Sequence, residues 1–293
     1  MRLLLTGGSG FLGSALARAA ADRGHSVAVL SRDVTNRQNS RLTWLTGGLA
    51  EPPWAEITRF APEACVHAAW ITTPGVYLKA PENHHWVRWS LEFLNRLPAL
   101  GVRQLVALGT CIEYQITGQP LREDVTPLGP TSTYARCKCD LHEWLRRSPD
   151  LAGTALAWAR IFYPYGEGEH PARLASSLIS RLSHGESVVL KTPGSVKDYI
   201  HADDVATALL ALLERGFNGP INIGTGEGVA VETIARNLAG MLGHPELVEV
   251  PAHPVADPLD FVVADAGRLH SLGWRPQVTL AAGLRRLVQA RRP

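Results

Sequence analysis

The sequence predicts an α/β fold, a doubly wound parallel sheet with a smaller α/β domain towards the C-terminus. Short apolar runs alternate with segments of helical periodicity through the first half of the chain. A glycine-rich turn joins the first apolar run directly to the first helix. After Tyr163, residues 164–171 form a loop rich in glycine and proline, and the pattern changes. We therefore expect one domain over residues 1–163 and about 195–226, and a second over 164–194 and 227–293.

Each element of the first domain has its own local pattern. Apolar runs predict strands at residues 1–5, 27–30, 42–45, 64–69, 104–108 and 154–161, and helical spacing predicts helices at 14–21, 83–97 and 131–147. The second half predicts a helix at 172–183, a strand at 188–191, a helix ending at Leu213 with Asp203 as its N-cap, and a strand within 218–226. Open parallel sheets bind ligands at the carboxyl ends of their strands, so we look there for the site.

Composition excludes several classes of protein. The 293 residues contain 29 Lys and Arg against 27 Asp and Glu, a balance that does not indicate a nucleic-acid partner. No apolar run approaches the roughly 18 residues of a membrane span, and the first run is too short for a signal peptide. Four cysteines without framework spacing indicate reduced thiols in a cytoplasmic protein. His84 and His85 are adjacent on a predicted helix and therefore point to different faces, so we expect no metal site.

The glycine-rich turn is the stretch TGGSGFLG, which begins at Thr6. Its glycines fit the dinucleotide fingerprint of Rossmann-type folds, with Gly7 or Gly8, Gly10 and Gly13 at the required spacing. Such glycines let the backbone approach a pyrophosphate, and the helix that follows offers N–H groups to the anion. A turn without a ligand is the alternative, but the strand before and the helix after favour a dinucleotide site.

Tyr134 and Lys138 stand four residues apart on a predicted helix, so they share one face. An ammonium beside a phenol favours phenolate, and the pair can exchange a proton with a carbinol or carbonyl oxygen. Thr110 follows the fifth strand, where its hydroxyl can orient the reacting oxygen for Tyr134. Taken alone, each feature has a structural explanation, a surface pair or a local turn; together with the glycine loop they indicate a catalytic site.

Several stretches in order resemble the extended short-chain dehydrogenases, the sugar-nucleotide epimerase/dehydratase group. They are TGGSGFLG at Thr6, VHAAW at Val66, LGTCIEY at Leu108, YARCK at Tyr134, ARIFYPYGEGE at Ala159, VKDYIHADDVA at Val196, INIGTG at Ile221 and LGWRPQVTLAAGLRRLV at Leu272. The resemblance covers nearly the whole chain. It implies Tyr134 as acid/base, Lys138 as its electrostatic partner and ribose ligand, and Thr110 as the substrate-orienting hydroxyl.

The resemblance also implies the remaining contacts. The pyrophosphate would lie on Gly7, Gly10, Phe11, Leu12 and Gly13, the rest of the cofactor along Ala68 and Ala69, and the nicotinamide near Ile161. The smaller domain would hold a nucleoside-diphosphate sugar. Tyr163 and Lys197 would touch this substrate, although the family often has Asn and Arg there, which indicates a reshaped pocket. A homodimer through the helices at 83–97 and 131–147 is expected on the same ground.

These features predict an oxidoreductase that reduces a keto group, most simply at C4, on a nucleotide-linked sugar. An epimerase of the same fold is the alternative. A 4,6-dehydratase is a less favoured alternative. Dehydratases that this chain resembles have Asp-Glu directly after the catalytic threonine, whereas this sequence has Cys111 and Ile112 there. Glu113 follows one position later. A non-catalytic dinucleotide-binding regulator is the fourth, and the presence of Tyr134 and Lys138 disfavours it.

The end of the second strand predicts the cofactor. NAD-preferring relatives place an acidic residue there, and this sequence has Ser31 followed by Arg32. A hydroxyl and a guanidinium suit a 2′-phosphate, which favours NADP(H). Asp33 could itself approach the ribose, and NAD(H) remains the alternative.

Overall fold

The computed structural model describes residues 1–34 and 40–291; the last two residues of the predicted second domain, 292 and 293, lie outside the described part. The strands are β1 (Arg2–Thr6), β2 (Ser26–Ser31), β3 (Leu42–Thr46), β4 (Ala64–His67), β5 (Gln104–Thr110), β6 (Ala155–Ile161), β7 (Tyr163–Tyr165), β8 (Val188–Val189), β9 (Val196–His201), β10 (Gly219–Ile223), β11 (Gly228–Ala230), β12 (Val248–Glu249) and β13 (Phe261–Val262). The helices are α1 (Phe11–Asp22), α2 (Trp54–Phe60), α3 (Asn83–Arg96), α4 (Thr133–Arg147), α5 (Leu174–Ser183), α6 (Ala202–Glu214), α7 (Val231–Leu242), α8 (Gly267–Ser271) and α9 (Leu280–Ala290).

The central sheet has seven strands in the order β10-β6-β5-β4-β1-β2-β3. The strand pairs β1–β2, β1–β4, β2–β3 and β4–β5 are parallel, which confirms the predicted doubly wound architecture. Leu3, Leu4 and Leu5 of β1 are all fully buried. A strand that is buried on both faces of a sheet has a continuous apolar sequence, and this pattern made these strands predictable.

The strand order reverses at β1. The chain passes from β1 to β2 and β3 on one side, and then returns to β4 and β5 on the other. Connections that leave a central strand in opposite directions open a crevice at its carboxyl end, the position where open α/β sheets bind ligands. The glycine loop directly after β1 lies at this point.

The chain forms two compact units. Unit 1 comprises Met1–Glu113, Pro130–Arg160 and Val205–Ile221; unit 2 comprises Tyr114–Gly129, Ile161–Asp204 and Asn222–Pro293. Unit 2 therefore contains residues 114–129, 161–163, 195–204 and 222–226, which the sequence pattern placed with the first domain. Its small sheet has the order β11-β9-β13, with β7 also paired to β9, and helices α5, α7 and α9 contribute to one apolar core.

Local chemistry explains how individual elements begin and end. Ser132 caps α4, since its hydroxyl accepts a hydrogen bond from the Ala135 N–H at 3.1 Å. The N-cap prediction for Asp203 is wrong: α6 begins at Ala202, and the Asp203 carboxylate instead accepts a hydrogen bond from Arg286 at 2.7 Å. Strand β4 ends at His67 rather than at residue 69. Among the described residues, no helix is long and apolar enough to cross a membrane.

Candidate active site

The glycine loop turns sharply between β1 and α1. Gly7 has φ +71°, a left-handed conformation that only glycine adopts without strain. A Cβ at Gly7 would lie 2.6 Å from the Ala68 carbonyl carbon, and one at Gly13 would lie 2.1 Å from the Gly7 carbonyl oxygen. The loop is closed by a hydrogen bond from the Gly10 N–H to the Gly7 carbonyl, at 3.0 Å. Any side chain at Gly7 or Gly13 would push the helix away from the strands.

The start of α1 fits an anionic group. Gly10 is the N-cap, and among the described residues no side chain accepts a hydrogen bond there from the first turn. Phe11 and Leu12 are half-buried in that first turn. Because the first N–H groups of a helix lack partners inside it and carry the positive end of its dipole, they suit a pyrophosphate. Gly7, Gly10, Phe11, Leu12 and Gly13 thus lie together in one turn at the start of α1.

Ala68 and Ala69 line the loop from the neighbouring strand. Both are half-buried, and both are tied to Thr6: the Ala68 N–H donates to its carbonyl at 3.2 Å and the Ala69 N–H to its hydroxyl at 3.3 Å. The Thr6 hydroxyl also contacts Nδ1 of His67 at 2.9 Å, and burial lowers the pKa of His67 to about 3. A neutral histidine therefore fixes this edge of the site.

The end of β2 differs in detail from the predicted phosphate site. Ser31 is 6% exposed and its hydroxyl donates to the Asp33 carbonyl at 2.7 Å. In this conformation the hydroxyl hydrogen is not available to a 2′-phosphate, because it closes a local turn. Arg32 is exposed. The predicted pairing of a hydroxyl donor with a guanidinium is thus reduced to the guanidinium of Arg32.

Thr110, Tyr134 and Lys138 lie together, all within unit 1. Thr110 is the last residue of β5, and its side chain is hydrogen-bonded to that of Tyr134. Burial raises the pKa of the Tyr134 phenol, and the neighbouring Tyr77, Glu113 and Cys111 raise it further. The net lowering of this pKa that Lys138 was expected to produce is not found, and desolvation of the phenolate is the largest effect. Tyr134 is a neutral phenol and can donate a proton.

Lys138 is held beneath this phenol. It is 3% exposed, and its Nζ donates to the Leu108 carbonyl at 2.7 Å. Burial lowers the pKa of Lys138 to about 7, while the negative charge of Glu113 opposes the shift. The same Nζ lies 5.9 Å from the centroid of the Tyr134 ring. A cation at this distance stabilises negative charge that develops on the phenol oxygen.

The side chains of Trp70 and Tyr77 pack against Tyr134 and are joined by Asn83; we call these three residues the clasp. The sequence did not predict it. The Tyr77 ring meets Tyr134 edge-on with centroids 4.8 Å apart, and the Trp70 ring does so at 6.4 Å. Asn83 connects the two, since it accepts from Trp70 Nε1 and donates to the Tyr77 carbonyl, each at 2.7 Å. No local pattern identifies this clasp, because its members lie on a loop and at the first residue of α3.

The contacts of Glu113 were also not predicted from the sequence. It is fully buried, and its carboxylate accepts from Arg160 Nε at 2.7 Å and from Trp158 Nε1 at 3.0 Å. It also accepts from the backbone N–H of Thr110 at 2.8 Å. Glu113 does turn inward, but each carboxylate oxygen already has donors within the protein. It therefore fixes the backbone at Thr110 and is not placed as a proton-transferring base.

The three predicted site residues beyond residue 160 belong to unit 2. Ile161 is buried at the end of β6, and Tyr163 begins β7 with its ring 6.0 Å from that of Tyr199. Lys197 is 5% exposed, and its Nζ donates to Asp257 at 2.9 Å and also to the Leu259 carbonyl. Its charge is thus already matched by a carboxylate. A ligand anion at this position would compete with Asp257.

Most of the chain matches a known protein family. A model of the NAD-dependent epimerase/dehydratase family matches residues 3–224. The chain belongs to this family. It is therefore an enzyme of the extended short-chain dehydrogenase type, which confirms the resemblance that the motifs indicated. Within residues 1–34 and 40–291, no three His, Cys, Asp or Glu side chains are grouped to hold a metal.

Individual relatives span nearly the whole chain. A UDP-glucose 4-epimerase of Corynebacterium glutamicum is 28% identical over 306 aligned positions, covering 95% of this chain and 92% of that protein. UDP-glucuronic acid decarboxylase 1 of Danio rerio is 24% identical, and the alignment covers 98% of this chain and 72% of that protein. The Thermus thermophilus UDP-glucose 4-epimerase in complex with NAD has a TM-score of 0.85 and 27% identity, with 99% and 98% of the two chains covered.

Proposed function

We propose that this enzyme is an oxidoreductase that uses NADP(H) to reduce a keto group, most simply at C4, on a nucleoside-diphosphate sugar. The observation that carries the proposal is the hydrogen bond between Thr110 and a Tyr134 phenol whose pKa burial raises. A neutral phenol has a proton to give to a carbonyl oxygen as that oxygen becomes an alcohol. An enzyme that begins by oxidising an alcohol needs a base at the same place.

The roles of the side chains follow from their contacts. When bound, a reduced nicotinamide would supply the hydride for the carbonyl carbon. The Thr110 hydroxyl orients the carbonyl oxygen, and Tyr134 gives that oxygen its proton. The charge of Lys138, 5.9 Å from the Tyr134 ring centroid, stabilises the phenolate that remains until solvent reprotonates it. The uncapped first turn of α1 would hold the pyrophosphate, Ala68 and Ala69 would lie along the cofactor, and Ile161 would approach the nicotinamide.

The substrate class rests on the relatives. The two curated proteins described above are named for reactions of UDP-glucose and UDP-glucuronic acid, and a Thermotoga maritima epimerase of the same fold was solved with UDP-glucose. We assign Tyr163 and Lys197 of unit 2 to this substrate. The pairing of Lys197 with Asp257 supports a pocket in which one cation is partly neutralised before the diphosphate arrives.

The epimerase reading has its own support, the 28% identity to a UDP-glucose 4-epimerase over nearly the whole chain. A screen of UDP- and dTDP-linked hexoses and their 4-keto derivatives, read by mass spectrometry, tests the proposal. Net reduction of a 4-keto sugar with consumption of the cofactor supports the reductase. Exchange between isomers without net oxidation, with cofactor retained at one per chain, supports the epimerase instead.

A dehydratase is disfavoured by the contacts of Glu113. The elimination of water needs an acid for the leaving hydroxyl and a base for the neighbouring proton. Cys111 and Ile112 cannot supply them in that form, and the Glu113 carboxylate is engaged by Arg160, Trp158 and the Thr110 N–H. Accumulation of a 4-keto-6-deoxy product from a plain hexose nucleotide would contradict this reading.

The cofactor preference gives a direct prediction at Arg32. We expect the wild type to bind NADPH more tightly than NADH, and Arg32→Ala to lose most of that difference, because the guanidinium pairs with the 2′-phosphate. A loss of about tenfold or more in NADPH affinity corresponds to one charge-assisted contact. Fluorescence titration with both cofactors measures it. Ser31→Ala is the matched control and should change little, since its hydroxyl donates to Asp33. If the wild type binds NADH as tightly as NADPH or more tightly, and Arg32→Ala does not change this preference, the result favours NAD(H) and the epimerase.

We also propose a cytoplasmic homodimer formed through α3 and α4. The two helices pack against each other within unit 1, and Trp144 on α4 is 56% exposed. Trp144→Glu should convert the dimer to a monomer, because a charge buried at an interface without a partner is costly. Sedimentation velocity measures the outcome, with the exposed Val255→Glu of unit 2 as the control. A wild-type protein that sediments as a monomer would contradict the proposal.

The proposed cytoplasmic location is supported by the four free thiols, because the cytoplasm is a reducing compartment.

A further inference from the structure

The indole of Trp70 lies against both members of the Tyr134–Lys138 pair. Lys138 Nζ is 3.8 Å from the centroid of the indole ring, and the same ring meets the Tyr134 ring edge-on at 74°. We propose that Trp70 is a positioning residue of the reaction, whose aromatic face holds the Lys138 ammonium in place beside Tyr134. This inference rests on the proposed function and adds to it a residue outside the Thr110–Tyr134–Lys138 group.

The surroundings of Lys138 explain why an aromatic face matters. An ammonium has three N–H groups, and one of those on Lys138 donates to the Leu108 carbonyl. At 3% exposure the residue has little water to replace the others. The face of an indole carries negative electrostatic potential and attracts a cation within about 6 Å, most strongly where water is excluded. Trp70 therefore takes part of the place of solvent at Nζ.

Trp70 is itself held in a fixed orientation. Its Nε1–H donates to the Asn83 side-chain carbonyl at 2.7 Å, and Asn83 is fully buried. The amide nitrogen of Asn83 donates to the carbonyls of Tyr77 and Ala80, each at 2.7 Å. A rotation of the indole away from Lys138 would break a buried hydrogen bond, which is unfavourable. The contact with Lys138 is thus maintained from the opposite edge of the ring.

The charge of Lys138 is finely balanced. Burial lowers its pKa to about 7, while Glu113 and the Cys137 thiol favour the charged form. His67 also faces this lysine, but burial and the lysine charge lower the pKa of His67 to about 3, so it stays neutral. Tyr134 faces Lys138 as a phenol whose pKa burial raises. An aromatic face favours the cation, so its removal should lower the pKa of Lys138 further.

The first test is the pH dependence of turnover. The charged lysine is present below its pKa and is lost as pH rises, so the alkaline limb of kcat reports this group. In Trp70→Leu this limb should move about one pH unit or more to lower pH, the size expected for an aromatic face over a desolvated cation. Trp70→Phe keeps an aromatic face and should move it less. An unchanged limb in an active Trp70→Leu enzyme would overturn the inference.

Trp54 provides a matched control within unit 1. The guanidinium carbon of Arg96 lies 4.3 Å from the centroid of its ring, and the ring stacks on Phe93 at 5.3 Å. Trp54→Leu therefore removes a contact of the same kind away from Lys138. It should lower stability without moving the alkaline limb. A shift in Trp54→Leu as large as in Trp70→Leu would assign the effect to general loosening and would also overturn the inference.

The second test needs no turnover. In ligand-free protein labelled with ¹⁵N at its eight tryptophan side chains, the Trp70 resonance is identified by its loss in Trp70→Phe. We expect its Nε1–H shift to titrate near pH 7 in the wild type and to become independent of pH in Lys138→Met. A resonance that does not titrate in the wild type would contradict the contact. If no nucleotide sugar is turned over but the resonance titrates, the proposed function fails and the Trp70–Lys138 contact stands.

Discussion

Tyr134→Phe is expected to lower kcat by about 10²- to 10⁴-fold, the usual contribution of a positioned acid or base. The hydroxyl that is removed is the one hydrogen-bonded to Thr110, while the ring keeps its edge-on contacts with Trp70 and Tyr77. The fold should persist, and cofactor affinity should change little, because Lys138 remains. Turnover with a 4-keto nucleotide sugar and a cofactor titration measure the two effects separately.

Tyr114→Phe is the control for this variant. Its hydroxyl donates to Asn222 at 2.8 Å in unit 2, so the substitution removes a buried tyrosine hydrogen bond outside the candidate site. It should cost about 1 kcal/mol of stability and leave kcat near the wild-type value. If Tyr134→Phe and Tyr114→Phe lose turnover equally, Tyr134 is not the proton donor.

The second large effect is expected at the buried ion pair. Arg160 and Glu113 have side chains 3% and 0% exposed, with Nε and Oε2 2.7 Å apart. Glu113→Leu should lower the free energy of unfolding by about 3–5 kcal/mol, because it leaves a buried charge without its carboxylate and removes an acceptor from the Thr110 N–H. Denaturant unfolding measures the loss. Because this carboxylate fixes Thr110, surviving folded enzyme should also turn over more slowly.

A double variant separates the pair from its members. In Glu113→Leu/Arg160→Met both charges are gone, so part of the stability should return relative to Glu113→Leu alone. Glu143→Leu removes a carboxylate from the exposed pair with Arg146 on α4 and should change stability little. If Glu113→Leu is as mild as Glu143→Leu, the ion pair does not stabilise unit 1.

The sequence predicted the parts of this site that depend on neighbouring residues. The glycine spacing after β1 and the i,i+4 pair on α4 can each be recognised from residues that lie within a few positions of one another. The parallel, doubly wound sheet followed from the alternation of apolar runs with helical segments. These features are local because backbone geometry at a turn or along a helix constrains only nearby residues.

The parts that the sequence did not predict are long-range contacts of single polar side chains. Glu113 meets Arg160 across 47 positions, and Lys197 meets Asp257 across 60. No periodicity marks such partners, since the pairing depends on how the strands and loops pack. Asp203 shows the same limit: its pattern fits an N-cap, but the distant Arg286 binds its carboxylate. The raised pKa of Tyr134 likewise follows from burial that only the fold reveals.

Net reduction at C4 is tested by a single-turnover reaction with NADPH deuterated at its transferable position. Enzyme, deuterated NADPH and a UDP- or dTDP-4-keto-6-deoxyhexose are mixed, and the product is examined by mass spectrometry and NMR. We expect one deuterium at C4 of the sugar, one NADPH oxidised per product, and near-complete loss of both in Tyr134→Phe. Interconversion of unmodified hexose epimers with no deuterium gained and no NADPH consumed would contradict it.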